Sequence, residues 1–266
     1  VLRADFLRRS GDLDAALAGY KEVMARNDTA DASSRAFFEY AAVQLVEGDG
    51  KGAMATVDEG LKRWPDDALG LYERGIFELV DGRSDDAAGD LARSIEAGEK
   101  YRMQSILLNT GFAEQTGERA DKSSYYAYAE PFLPIAIEVI LFLDAARSKA
   151  GQDGSDELKK NFDDIEFALR PIGSLQPAEL VGWPVPIINF YLGQIGVDGL
   201  LAQAEKSASA NSVRPLCTAN LFAGLRAEKG ADYQEVQRRL RTAAEKCPAS
   251  SLARSLAITV LGRRIP

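Results

Sequence analysis

The sequence predicts an all-α fold, a right-handed α-solenoid of helical hairpins with a capping helix at its end. Three observations predict it. Ala41 and Gly75, Gly48 and Gly82, Ala53 and Ala87, and Val57 and Leu91 form pairs of like residues, each 34 positions apart. Between these marks apolar residues recur every three to four positions, the spacing of one helix face. Gly or Pro interrupts the pattern where one helix must stop and the next begin, as at Gly48, Pro65 and Gly82.

Each unit then reads as a helix A, a glycine turn and a helix B. Small residues such as Ala41 and Ala53 let the two helices approach, and Val57 or Leu91 fills the space beside them. Small residue, turn glycine, second small residue, large aliphatic and closing proline, on this period, resemble the tetratricopeptide repeat (TPR). An earlier copy is "RSGDLDAALAGYKEVMARND", with Gly11, Ala16 and Tyr20 in the turn, small and large positions. On that register Val1 is the fifth residue of its unit, so helix A is expected to be cut short. The apolar face of its helix B, Leu13, Leu17 and Tyr20, is then a candidate dimer contact, to be covered by an identical subunit or a preceding segment.

Residues 1–100 thus hold three repeats, the first truncated, and residues 101–182 form an irregular TPR-like region. Within the latter, "PIAIEVILFLDAARSKAGQDGSDELKKNFDDIEFALRP" reads as a stretched hairpin turning at Ala150 and Gly151 and ending at Pro171. Residues 183–266 hold a short hairpin, a last good repeat and the cap, and the three regions are predicted to form one continuous solenoid. In "WPVPIINFYLGQIGVDGLLAQAEKS" the prolines start helix A, Gly193 takes the small position and Gly196 the turn. In "CTANLFAGLRAEKGADYQEVQRRLRTAAEKCP" Gly224 is the small residue and Val236 and Leu240 the later apolar ones. The closing "SSLARSLAITVLGR", apolar at Leu252, Leu256, Ile258 and Leu261, reads as the cap over the open end of the stack.

The order "LFLDAARSKAGQDGSDEL", "WPVPIINFYLGQI", "LCTANLFAGLRAEKG…CP" resembles the second half of NlpI-type bacterial envelope TPR lipoproteins. Leu143, Ala146, Ala150, Gly151, Trp183, Pro184, Tyr191, Leu192, Gly193 and Cys217 carry the likeness, across residues 134–262. The resemblance implies a non-catalytic adaptor of the periplasm or envelope, often dimeric, that brings proteases or cell-wall-modifying enzymes to their substrates. A cytoplasmic location is the alternative.

Composition closes off much chemistry. The chain has no histidine, which removes the commonest general base, the Ser-His-Asp and Cys-His arrangements and histidine metal sites. Two cysteines are too few for a cysteine-built zinc site. A net charge of −8 argues against nucleic acid as a partner, and "RRLR" at 238–241 reads as a solvated helix face. The most apolar stretch, 132–146, is broken by Glu138 and Asp144, so no transmembrane segment is expected. No enzyme activity, cofactor or metal is predicted, and the partners expected are other proteins or peptides.

Candidate sites follow from the repeat register. Helix A lines the groove of such a stack, which selects Arg35, Phe38, Ala42, Leu45, Leu69, Tyr72, Ile76 and Leu79 as partner-binding residues. Phe38 and Tyr72 are either exposed anchors or, the more common fate of large apolar side chains, packed against neighbouring helices. "YYAYAEPF" at 125–132 is a second aromatic patch, a surface lip or an ordinary helix face. Cys217 starts helix A of the last repeat and Cys247 ends its helix B, so an antiparallel hairpin sets them within disulfide reach; two buried thiols are the alternative. Asp153, Ser155, Asp156 and Glu157, and Glu47 with Asp49, do not follow the calcium-loop order and lie where helix caps are expected. Asp66 with Asp67 and Asp85 with Asp86 also fall at helix ends. The alternative to an adaptor is a polysaccharide- or cell-wall-associated binding or hydrolytic protein that uses carboxylates in the hollow of the solenoid.

Overall fold

Every element described in the computed structural model, which covers residues 1–26, 30–98, 133–169, 183–208 and 214–262, is helical. The predicted tyrosine patch at 125–132 and the end of the stretched hairpin at Pro171 lie outside the described residues. In chain order the helices are α1 (Leu2–Ser10), α2 (Leu13–Arg26), α3 (Ala30–Val46), α4 (Gly50–Arg63), α5 (Ala68–Val80) and α6 (84–98). They continue with α7 (Leu133–Lys149), α8 (Ser155–Leu169), α9 (Val185–Tyr191), α10 (Val197–Ser207), α11 (Arg214–Lys229), α12 (Tyr233–Lys246) and α13 (Leu252–Gly262).

One turn recurs between paired helices. Gly11, Gly48, Gly82, Gly151 and Gly193 all have φ between 72 and 89°. Each donates its N–H to the carbonyl three residues back, and the next residue donates to the carbonyl five back, as in Gly48 to Leu45 and Asp49 to Gln44. This is the left-handed helix stop that glycine adopts without a Cβ penalty. The structure corrects the short hairpin here: Gly193 is the turn residue, and Gly196 caps the next helix with an ordinary φ of −80°. The reason is length, since α9 has only seven residues and its stop comes early. In the last hairpin the left-handed position is held by Ala231, φ 53°.

The acidic pairs start helices. Asp49 accepts from the Gly52 N–H, Asp67 from Leu69 and Gly70, Asp153 from Ser155 and Asp232 from Glu235. Each satisfies N–H groups that the first turn of a helix leaves free.

Helices within a hairpin touch through the small positions read from the sequence. A Cβ on Gly75 would lie 2.6 Å from Leu91 Cγ, and one on Gly224 would lie 2.7 Å from Leu240 Cδ2. Ala41, Ala53 and Ala87 are fully buried beside them. Each hairpin also packs on the next, α2 on α3 and α4 on α5, while α3 touches α5 directly. A file of rings, Tyr72, Phe142, Phe222 and Tyr191, then runs through α5, α7, α11 and α9 with centroids 4.8 to 6.2 Å apart. The apolar stretch at 183–196 is thereby explained: Val185, Ile187, Ile188 and Tyr191 are core residues, and the Tyr191 hydroxyl donates to the Phe222 carbonyl at 3.1 Å.

At the ends, the first helix A is short as expected, the nine-residue α1, and it packs on α2. The last helix packs on α11 and α12 as a cap should, and it also reaches α3 and α5.

A candidate partner-binding face on the A helices

The face in question is built by α3 and α5. Arg35, Phe38, Ala42 and Leu45 are spaced along α3, and Leu69, Tyr72, Ile76 and Leu79 along α5, so each set shares one side of its helix. The structure brings both sets together but does not leave them open. Phe38, Ile76 and Leu79 are buried, Leu45 is nearly so, and Tyr72 is 6% exposed. Their burial corrects the exposed-anchor expectation for Phe38 and Tyr72, and the neighbours give the reason.

Phe38 fills a slot that glycine makes. A Cβ on Gly70 would sit 2.3 Å from its Cζ, and a Cβ on Gly60 would sit 2.6 Å from its Cε1. No real side chain tolerates such approaches, so the ring wedges α3 against α4 and α5. Tyr72 points at α7: its ring lies 6.2 Å from Phe142 and its hydroxyl donates to Glu138 at 3.1 Å. Glu138 also accepts from Arg214 of α11, so three helices meet at one carboxylate. Burial first, and then the Glu138 carboxylate, pushes the Tyr72 phenol well above its ordinary value.

Arg35 alone among the selected residues stays half exposed, and it is paired. Its guanidinium donates to Asp5 Oδ2 at 2.7 Å, and the other oxygen of Asp5 accepts from Tyr20 at 2.7 Å. Asp5 thus ties α1 to α2 and α3. Next to it Arg8 lies 3.3 Å from Glu39. Glu73 on α5 completes this polar strip; it is buried, its Oε2 has no hydrogen-bond partner, and burial followed by Glu39 drives its pKa well above the ordinary range.

The candidate dimer contact is largely covered by the chain's own helices. Tyr20 is fully buried, and Leu13 and Leu17 are half-buried against the small cluster of Ala4, Ala16, Tyr20, Ala36 and Val43. The cover is α1, the short first A helix. Exposed apolar area sits on α1 itself, at Leu2 (81% exposed) and Phe6 (70%). Their spacing of four was legible in "LRADF" and marks one face of a helix.

Cys217 and Cys247 are joined as a disulfide with Cα atoms 5.6 Å apart, tying the start of α11 to the end of α12. Both half-cystines are buried.

Sequence reasoning missed how the last helix contributes. Of the expected Leu252, Leu256, Ile258 and Leu261, Leu256 is buried, Leu252 and Leu261 are half-buried against the core and Ile258 is half exposed; the buried small residues Ala253, Ser255 and Ala257 were not anticipated. Ala253, Leu256 and Ala257 belong to the same continuous core as Phe38, Leu45, Tyr72, Ile76 and Leu79. Small residues carry a weak hydropathic signal, yet they permit the closest helix approach. The chain matches no family model and no curated protein.

Proposed function

We propose that this chain is a TPR-type solenoid that acts as a non-catalytic adaptor, binding other proteins through the face of its A helices. The observation that carries this reading is the contact of α3 with α5 across repeats joined by the same glycine turn, which sets successive A helices side by side. Stacked in that way, helix pairs present an extended surface suited to polypeptides. The likeness to NlpI-type lipoproteins extends the proposal to the bacterial envelope, with proteases or cell-wall-modifying enzymes as the proteins recruited. The Cys217–Cys247 bond supports an oxidising compartment such as the periplasm, since disulfides persist there and are rare in the cytosol. Among the described residues no helix is long and apolar enough to cross a membrane.

A photo-crosslinking amino acid tests the reading when placed at Arg35, half exposed on α3, and separately at Glu59, exposed on the outer helix α4. Incubation with bacterial envelope extract is expected to give reproducible protein adducts from position 35 and not from position 59. Adducts from position 59 alone, adducts from neither, or a hydrolase activity that survives rigorous purification would each defeat the adaptor reading.

A further inference from the structure

Asp5, Glu39 and Glu73 stand 34 positions apart, one on each of α1, α3 and α5, so the repeat sets an acid at the same place on three successive A helices. Arginines serve the first two. Arg35 of α3 donates to Asp5 at 2.7 Å, and Arg8 of α1 lies 3.3 Å from Glu39 of α3. One period after the Arg8–Glu39 pair the corresponding residues are Ala42 and Glu73, and one period after Arg35 stands Leu69. We propose that Glu73, beside the short side chain of Ala42, is a recognition site for a guanidinium, an arginine of a partner peptide that takes the place Arg8 holds in the preceding repeat. The site rests on the adaptor reading above, since it names the chemistry of the segment that the A-helix face takes.

The Glu73 carboxyl lacks a donor. The residue is 6% exposed, and its Oε2 has no hydrogen-bond partner. Burial first and Glu39 second raise its pKa, and Arg8, already engaged with Glu39, offsets them only in part; Asp67 adds to the rise. A buried acceptor without a donor costs stability, and a guanidinium both removes that cost and forms a charge-assisted bond stronger than a neutral one.

The repeat also indicates the direction of approach. α3 touches α5 directly, and Ala42 on α3 is half-buried whereas its chain neighbours Ala41 and Val43 are fully buried. By the repeat, Ala42 stands to Glu73 as Arg8 stands to Glu39, with a methyl group in place of a long cationic side chain. Arginine suits the site better than lysine, because its planar fork matches a carboxylate and it is the cation the chain itself uses on the two preceding acids. The net charge of −8 favours the encounter with a basic segment.

The probe is the capped peptide Ala-Ala-Arg-Ala-Ala, titrated into the isotope-labelled full chain and read by NMR, with the uncharged citrulline peptide of the same shape as control. The unaltered chain is expected to bind the arginine peptide about ten-fold or more tightly than the citrulline peptide. Glu73→Gln is expected to lose that difference, and Ala42→Arg, which supplies the guanidinium from the chain itself, is expected to weaken the arginine peptide by about the same factor. Glu59→Gln removes the same charge from an exposed place on α4 and should leave the affinity within about two-fold. A second measurement needs no peptide: Ala42→Arg is expected to raise the melting temperature of the unaltered chain by a few degrees and not that of Glu73→Gln. Should Ala42→Arg fail to fold, which circular dichroism reports, the citrulline comparison and Glu73→Gln decide. Equal affinity for the two peptides, no binding of either, a preference that survives Glu73→Gln, or an equal loss in Glu59→Gln would overturn the site. The two readings fail separately. Extract adducts from position 35 that the arginine peptide does not compete and that persist in Glu73→Gln sink the guanidinium site and leave the adaptor intact, whereas peptide binding that depends on Glu73, with no extract adducts, sinks the adaptor and leaves the site standing.

Discussion

The first and last hairpins are built to one plan and held by different forces. In the first, α1 and α2 close over a small cluster of alanines with Tyr20, and the contact is fixed by polar groups: Tyr20 and Arg35 both donate to Asp5. In the last, α11 and α12 close over Phe222, Leu225, Val236 and Leu240 and are joined covalently by Cys217 and Cys247. A hairpin poor in large apolar residues relies on directional bonds that fail when one partner is wrong. A hairpin with a large core and a crosslink loses stability when cut but keeps its packing. The difference teaches that the repeat pattern dictates the shape of a unit and leaves its means of stabilisation free.

The sharpest way to break the first hairpin is Tyr20→Asp, which sets a second carboxylate beside Asp5 in a buried site. It is expected to destabilise by about 4 kcal/mol or more and to lose the α1–α2 unit, seen as reduced helical signal at moderate temperature. Tyr20→Phe, which removes only the hydroxyl, is expected to cost about 1 to 2 kcal/mol, and an equal loss for both variants would refute the polar account.

Cutting the crosslink is next in size. Cys217→Ser with Cys247→Ser reopens a loop of sequence separation 30, and the chain-entropy relation then gives a loss of about 3 to 4 kcal/mol. Urea unfolding should show that loss, with helical content in the absence of urea nearly unchanged. A fall below 1 kcal/mol would mean that the apolar core alone carries the hairpin.

The third hairpin extends the comparison to a buried carboxyl with a charged partner. Glu78 accepts from Arg83 at 3.0 Å, yet burial, followed by Asp90, pushes its pKa from 4.5 up to about 7. Below pH 4.5 the group is protonated in both folded and unfolded chains and has no effect. Between pH 4.5 and about 7 the folded chain holds the extra proton, so stability falls as pH rises, and above that range the loss is constant. Glu78→Gln should therefore match the unaltered chain at pH 4 and exceed it by on the order of 1 to 2 kcal/mol at pH 8, in denaturant titrations at both pH values. A constant difference across that range would remove the titration as its cause.

The smallest effect contrasts the two turns. Gly11 takes the left-handed position of the first hairpin at φ 88°, whereas Ala231 takes it in the last at φ 53°. Ala231→Gly relieves the Cβ there and is expected to raise stability by about 0.5 to 1 kcal/mol, while Gly11→Ala should lower it by a similar amount. Thermal melts of both single variants check the pair, and stabilisation by both would contradict the turn assignment.

Much of the local architecture was legible before the structure. Gly48 and Gly82 mark their turns, Asp49 and Asp67 their caps, and Gly75 and Gly224 the tight contacts with Leu91 and Leu240. Cys217 and Cys247 meet because an antiparallel hairpin returns its second helix to the start of its first. The candidate face was legible only as a set of residues. The register put Phe38 and Tyr72 on the A-helix side, but their burial depends on Gly60 and Gly70 in the one case and on Phe142 and Glu138 in the other. No periodic signal connects those positions.

By itself the sequence determined most of what has its cause within one hairpin: the helices, the glycine stops at Gly11, Gly48, Gly82 and Gly151, the aspartate caps, the small-on-large packing and the reach of the disulfide, though not the stops at Gly193 and Ala231. These depend on backbone sterics and on hydrogen bonds between residues near in sequence, and both are written into residue type and spacing. Only the tertiary structure decided that α1 covers Tyr20, that α7 closes over Tyr72, and that α13 lies against α3 and α5 as well as against α11 and α12. The physical reason is that apolar burial has no direction along the chain: Leu256 or Ala257 is equally satisfied by any close-packed surface, and which surface it finds is fixed by where all the other helices have left room.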